Sequence, residues 1–304
     1  MPHWIAWTLL TLLTWGIWAI LFGRIGKEIT PAHCQVISTL GITPILLALW
    51  WIKDTPSSGS RRRGIWLALG SGILSCLGNI ACYAALNHGK AATVIPLTAL
   101  YPVVTVLLAI PILKERLNPW QWIGIGASLA AIYLFNSNTP GEAGEPQVMA
   151  NGWMLLPFAA IVLWGITGLM QKASTNDISA RLSAIWFLAA FFPVAVLILV
   201  YDPLPAGISL RTWAYAVAIG FTLALGNLTL LLAFASGGKA SIIVPLAGLY
   251  PLASIPIAIL AFGERLGWRE SCGIVLALTA VVMLSFQSEP EDVSGETIET
   301  DTSS

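Results

Sequence analysis

The chain has 304 residues, 15 basic against 15 acidic, with 57 % hydrophobic residues, 10 % charged ones and a mean hydropathy of +0.79. A soluble domain carries about a quarter charged residues, so lipid is the main solvent, and a net charge of zero gives no footprint for a nucleic-acid partner. The 14 tryptophans, most of them near the ends of apolar runs, fit indoles held at the headgroup level.

Spanning a hydrocarbon layer of about 30 Å takes about 20 helical residues. Ten runs approach that length: 4–22, 32–52, 64–86, 91–113, 120–136, 152–171, 180–200, 212–235, 240–262 and 269–286. No basic residue stands between the start and Trp4, and Gly23-Arg24-Ile25-Gly26-Lys27 is no cleavage pattern, so the first run reads as a retained span. It carries Thr11, Thr14 and a central Trp15. Span 2 adds Gln35, Ser38, Thr39 and Thr43, whose hydroxyls can equally bond their own helix. Arg61-Arg62-Arg63 opens span 3, and Asn79 lies a little past its middle. Lys90 opens span 4, which then reads Pro96-Leu97…Leu100-Tyr101-Pro102; Glu115 and Arg116 follow at its end. Span 5 carries the small residues Gly124, Ser128 and Ala131 at helical spacing. Residues 137–151 form the longest interior polar stretch and read as a linker.

Beyond the linker the pattern returns. At an offset of 149, Trp15-Gly16-Ile17 becomes Trp164-Gly165-Ile166, and Glu28-Ile29-Thr30 becomes Asp177-Ile178-Ser179. Gly89-Lys90-Ala91 becomes Gly238-Lys239-Ala240, and the second proline motif is Pro245-Leu246…Leu249-Tyr250-Pro251. Glu115-Arg116-Leu117 becomes Glu264-Arg265-Leu266; Gly78-Asn79 matches Gly226-Asn227 at offset 148. The expected organisation is a first repeat at 1–136, a linker at 137–151, a second repeat at 152–286 and a disordered acidic tail at 287–304. Five spans is an odd number, so the second copy enters from the opposite side: an all-α polytopic membrane protein of ten helices, as two inverted five-helix repeats. With both termini cytoplasmic, inside loops carry nine Lys and Arg against six outside.

Pro96, Pro102, Pro245 and Pro251 each remove a helical donor and free a carbonyl, here those of Ala92, Thr98, Ser241 and Ala247. In lipid, free carbonyls are tolerated where they meet protein or a wet cavity, so these prolines are candidates for gating hinges, or else for packing kinks. Trp15, Asn79, Tyr101, Trp164, Asn227 and Tyr250 fall at comparable depth. They read as an aromatic-walled, uncharged substrate pocket at the repeat interface, or as interhelical glue. No Asp, Glu, Lys or Arg lies in the middle of any span, which favours a small neutral or zwitterionic solute over proton coupling through a buried acid. Lys90 and Lys239 could draw an anion to each mouth, or simply solvate a terminus. The stripe Gly124, Ser128, Ala131 and its match Gly273, Ala277, Ala280 reads as packing between the halves or as a homodimer contact through spans 5 and 10. The four cysteines read as small buried hydrophobes, and neither a metal-ligand spacing nor an enzyme signature occurs.

On the doubled Pro96…Tyr101-Pro102 and Glu115-Arg116 motifs, the chain resembles the drug/metabolite transporter superfamily and within it the EamA family, as two EamA units over about 5–136 and 152–286. The resemblance implies a central cavity walled mainly by spans 1, 3, 4, 6, 8 and 9, alternating access, no cofactor, and metabolites, amino acids among them, as substrates. It places the chain in an inner membrane of bacterial type, with the lipid bilayer and a small-molecule substrate as its partners. The small four-helix members of the superfamily use an acid in their first helix; Trp4–Phe22 has none, which speaks against proton-driven cation efflux. A flippase for a lipid-linked head group and a non-transporting scaffold or sensor are the other roles this architecture allows.

Overall fold

Among the described residues the ten apolar runs become thirteen helices, because three of the runs break next to prolines. The computed structural model describes residues 3–22, 25, 28–54, 59–113, 117–136, 154–237, 240–262 and 266–286. The first repeat comprises α1 (His3–Phe22), α2 (Pro31–Trp51), α3 (Arg61–Leu86), α4 (Ala91–Thr98), α5 (Pro102–Leu113) and α6 (Pro119–Asn136). The second comprises α7 (Leu155–Asp177), α8 (Ala180–Ala189), α9 (Phe191–Tyr201), α10 (Leu210–Ala235), α11 (Ala240–Ala247), α12 (Pro251–Phe262) and α13 (Trp268–Ser285). No strand occurs among the described residues, and seven described segments are long and apolar enough to cross a membrane. Trp50, Trp51, Trp66, Trp120, Trp122 and Trp268 are exposed near helix ends, where an indole can face lipid and headgroup together. The linker 137–151, the tail 287–304 and the pairs Glu115-Arg116, Gly238-Lys239 and Glu264-Arg265 lie outside the described residues.

The breaks in spans 4 and 9 follow from the missing proline donors. Pro102 and Pro251 stand at the first position of α5 and α12, where a helix needs no N–H. The carbonyls they leave free, on Thr98 and Ala247, accept instead from the N–H groups of Tyr101 and Tyr250 at 3.2 Å each. The chain thus turns tightly at each tyrosine. Span 7 also breaks, which the sequence reading did not foresee: α8 ends at Ala189 and α9 begins at Phe191, two residues before Pro193. Pro44, at the matching place in α2, leaves that helix continuous. The sixth span is longer than expected. The helix α7 runs on to Asp177, so Gln171 and Lys172 lie inside it rather than at its end, and the Lys172 ammonium sits 6.0 Å from the Phe234 ring centre.

The repeats interlock rather than sit side by side: α1 packs on α10, α3 on α7 and α8, α2 on α10, and α6 on α13. Glycine makes this approach possible. A Cβ on Gly72 would overlap the Phe187 carbonyl, and one on Gly220 would overlap that of Ser38, the same contact seen once from each repeat. On α6, Gly124 lies against the Ala280 carbonyl, while Ser128, Ala131, Ala277 and Ala280 are buried. The small-residue stripe is therefore used in packing one half on the other. Asn118 caps that seam by donating from Nδ2 to the Phe286 carbonyl at 2.7 Å. Three cysteines are buried as expected; Cys272 is exposed on α13, which corrects its reading as a buried residue.

Candidate functional site

The Trp-Gly pair that recurs in α1 and α7 does two jobs. A Cβ on Gly16 would lie 2.9 Å from that of Ala253 and 3.5 Å from the Tyr250 carbonyl. On Gly165 it would lie 2.5 Å from that of Val104 and 2.9 Å from the Tyr101 carbonyl. Each glycine thus lets the broken helix of the opposite repeat come against the backbone. The neighbouring tryptophans turn to a second pair of glycines: Gly78 seats the Trp164 indole edge and Gly226 seats that of Trp15, with no room for a side chain at either. Trp15, Trp164 and the two Gly-Asn pairs are in this way locked to one another across the repeat interface.

Between these walls lies a cavity of about 50 Å³, and all six residues singled out from the sequence line it: Trp15, Asn79, Tyr101, Trp164, Asn227 and Tyr250. Five rings are edge-on to one another around it. Trp15 meets Tyr101 at 6.4 Å and Tyr250 at 6.3 Å; Trp18 meets Trp164 at 5.9 Å and Tyr250 at 6.3 Å; Tyr101 meets Trp164 at 6.1 Å. The tyrosines are buried, and their hydroxyls act symmetrically. Tyr101 donates to the Val244 carbonyl and Tyr250 to that of Ile95, both at 3.5 Å, at the edge of hydrogen-bonding range. Pro96 and Pro245 lie inside α4 and α11, one residue beyond those carbonyls. No Asp, Glu, Lys, Arg or His lines the cavity among the described residues. It offers aromatic faces and neutral hydrogen-bonding groups.

Four polar or aromatic wall residues escaped the sequence reading: Trp18, Ser75, Thr167 and Gln171. Trp18 follows Trp15 by one helical turn and could have been found by that spacing. Gln171 was hidden because span 6 was ended there. It donates from Nε2 to the Asn227 Oδ1 at 3.1 Å, while Asn227 Nδ2 donates to the Leu223 carbonyl at 2.9 Å. Asn79, the mate of Asn227, is 1 % exposed, and its Nδ2 has no hydrogen-bond partner. Several polar residues noted in the sequence turn elsewhere. Ser38 and Thr39 bond the Gln35 carbonyl within α2, and Thr11 meets Thr229 at 2.8 Å in the seam between α1 and α10. The Lys90 ammonium is 3.2 Å from the Glu270 carboxylate, a surface ion pair rather than a free anion trap.

Residues 2–137 and 151–286 each match the sequence model of the EamA-like transporter family, so the match takes in both repeats. An uncharacterised protein of Methanocaldococcus jannaschii is 29 % identical over 134 residues, which are 41 % of this chain and 96 % of that protein. That relative is therefore about one repeat long. A Sinorhizobium protein described as an uncharacterised transporter is 30 % identical over 141 residues, 40 % of this chain and 98 % of its own. Among solved structures, one crystal structure superposes with a TM-score of 0.60 at 16 % identity, covering 91 % of this chain and 94 % of the other, a likeness of fold.

Proposed function

The chain belongs to the EamA-like transporter family and is a multi-pass membrane transporter, and from that premise we propose that its central cavity carries a small neutral or zwitterionic metabolite, an amino acid or a related solute, by alternating access. The observation that carries this reading is the uncharged aromatic cavity at the repeat interface, built from matched residues of both halves. A scaffold without transport would have no need of a cavity there. An ionic solute would find no counter-charge on its walls, and burying an unpaired charge is costly.

The cavity volume of about 50 Å³ is less than two waters occupy in the liquid, at about 30 Å³ each. A metabolite of several heavy atoms fits only if the walls part. The turns at 99–101 and 248–250 are the places where they would do so, since each broken helix has a proline start and a glycine contact against the opposite repeat. In this reading Pro96, Pro102, Pro245 and Pro251 define hinges, and both termini are cytoplasmic in an inner membrane of bacterial type. Purified protein in liposomes, offered labelled amino acids and other metabolites from either side, tests the function. Uptake or exchange of at least one is expected, and folded protein that moves none in either direction would refute it. Asn79→Ala and Tyr250→Ala should slow transport well beyond Ser128→Ala, whose hydroxyl only bonds the Gly124 carbonyl of its own helix. Pro102→Ala restores a donor to Thr98 and should lower the turnover rate more than the affinity.

A further inference from the structure

Inverted duplication sets Asn79 and Asn227 in matched positions, each beside the glycine that seats a tryptophan of the other repeat. Their hydrogen bonding is nevertheless different. Asn227 is committed twice, to the Gln171 amide at 3.1 Å and to the Leu223 carbonyl one turn back at 2.9 Å. Asn79 makes neither bond: its Nδ2 is buried without a partner, and Ser75, the residue one turn back, is not used as its acceptor. The surroundings of the two amides differ as well. By the 149-residue offset the counterpart of Gln171 is Phe22, which stacks on Tyr83 with ring centres 4.0 Å apart and an interplanar angle of 6°. The Tyr83 hydroxyl in turn accepts from Trp18 Nε1 at 3.3 Å. The first repeat thus has an aromatic stack where the second has an amide clamp.

A buried amide donor with nothing to bind is held at a cost, and in a cavity wall a ligand acceptor is the group that relieves it. Resting on the reading of this cavity as the solute site, we propose that Asn79 reads a carbonyl or carboxylate oxygen of the solute, while the Leu223 carbonyl takes up the Asn227 Nδ2 and Gln171 holds its Oδ1, which makes Asn227 a fixed wall. The solute is then bound in one orientation, its oxygen end toward α3 and its remainder among the five rings. A carboxylate enters this uncharged cavity as part of a zwitterion, whose ammonium the ring faces of Trp15, Trp18 and Trp164 can attract. Phe22 has no polar atom with which to take up the Asn79 Nδ2, whereas a glutamine in its place would bring an amide oxygen.

Two measurements test this. The first needs no solute. Asn79→Leu removes an unpaired polar group from a buried site, so the midpoint of thermal unfolding of the solute-free protein should hold or rise by about 2 °C. Asn227→Leu strands Gln171 and should lower the midpoint by several degrees. Equal losses from both variants would overturn the asymmetry. The second measures binding, in wild-type protein and variants, of a panel of L-amino acids, each beside the amine that lacks its carboxylate. Phe22→Gln, whose Oε1 would give the Asn79 Nδ2 an acceptor, should weaken amino-acid binding about tenfold relative to Phe22→Leu and leave the amines unchanged. Equal binding by Phe22→Gln and Phe22→Leu, or an equal loss for acids and amines, would overturn the acceptor-reading role. A wild type that binds no panel member while the stability difference stands refutes the solute reading above, yet supports the asymmetry of the two amides.

Discussion

The wall of the cavity built by α3 and the wall built by α10 differ less in frame than in commitment. Both have a glycine that receives a tryptophan edge, an asparagine on the next residue, and a facing tyrosine whose hydroxyl reaches a carbonyl of the opposite repeat. Yet Asn227 is bonded on both ends of its amide and Asn79 is left with an unpaired Nδ2. The frame is set by the close approach of an indole to each of these glycines, which leaves no room for a side chain there. The commitment is set by the Nδ2, which turns back to its own helix at Asn227 and not at Asn79, and by the neighbouring helix, where Gln171 holds the Asn227 Oδ1 and Phe22 stands at the matching place. Duplication therefore yields a symmetric container, and divergence at a few inward positions decides which polar groups remain available. The ends of the bundle show the same division. Arg181 lies 3.8 Å from the Asp54 carboxylate at one end, while His33 lies 3.1 Å from that of Asp202 at the other, so matched ends are tied by different side chains.

The frame is where substitution should hurt most. Gly226→Val and Gly78→Val each force an indole out of its seat, and overpacking of this kind costs about 1–3 kcal/mol or more. Both variants should lose transport and much of their thermal stability, and to a similar extent. Tolerance of one alone, in a detergent melting assay, would break the claim of an equivalent frame. Next in size comes the clamp. Gln171→Leu leaves Asn227 Oδ1 unsatisfied and should cost about 1–3 kcal/mol. Phe22→Leu loses a stacked ring pair worth about 0.5–1.5 kcal/mol beyond its area. Denaturant titration of both would show whether the polar or the aromatic lock holds its repeat more firmly. The tyrosine hydroxyls should matter less to stability, because their bonds are long and go to carbonyls that already accept from the Ala99 and Gly248 N–H groups. Tyr101→Phe and Tyr250→Phe should each change the unfolding free energy by less than about 1 kcal/mol. A marked transport defect in one and not the other would assign a solute contact to that hydroxyl.

Much of this was legible in the sequence because it was written twice. The doubled Trp-Gly, Gly-Asn and Tyr-Pro patterns placed six residues at one depth, and all six line the cavity. The prolines located the breaks in spans 4 and 9 through a simple count of donors. What remained hidden is what the repeats do not share. Gln171 answers to Phe22 and Thr167 to Trp18, so a search for matches passes over them. The extra six residues of α7 were missed because Lys172 and the polar run after it resemble a loop, although the lysine ammonium lies over the Phe234 ring. The break after Ala189 is not legible from proline position alone, since Pro44 at the matching place leaves α2 continuous.

The smallest effect expected concerns the end of the bundle where the α1–α2 loop meets α10. Glu28 accepts from the Thr212 hydroxyl, from the Ser209 N–H and from the Ser209 hydroxyl, so it joins the N-terminus of α10 to the opposite repeat. These bonds favour the charged form and hold the carboxyl below its ordinary value of 4.5, Thr212 contributing most. A lowered value means that the native state binds fewer protons than the unfolded one, so stability rises with pH across this window. The contribution is complete above pH 4.5 and is lost as pH falls through the lowered value. The group is fully exposed, so the shift should be modest and weakened by salt. Asp177 stands at the equivalent place in the second repeat but meets a fixed charge, Arg63 at 3.5 Å, in an ion pair without hydrogen-bond alignment. Melting curves of wild type and Glu28→Gln between about pH 6 and about pH 3 should therefore converge at the acid end. A gap that stays constant over the whole range would mean that Glu28 holds α10 through its shape alone.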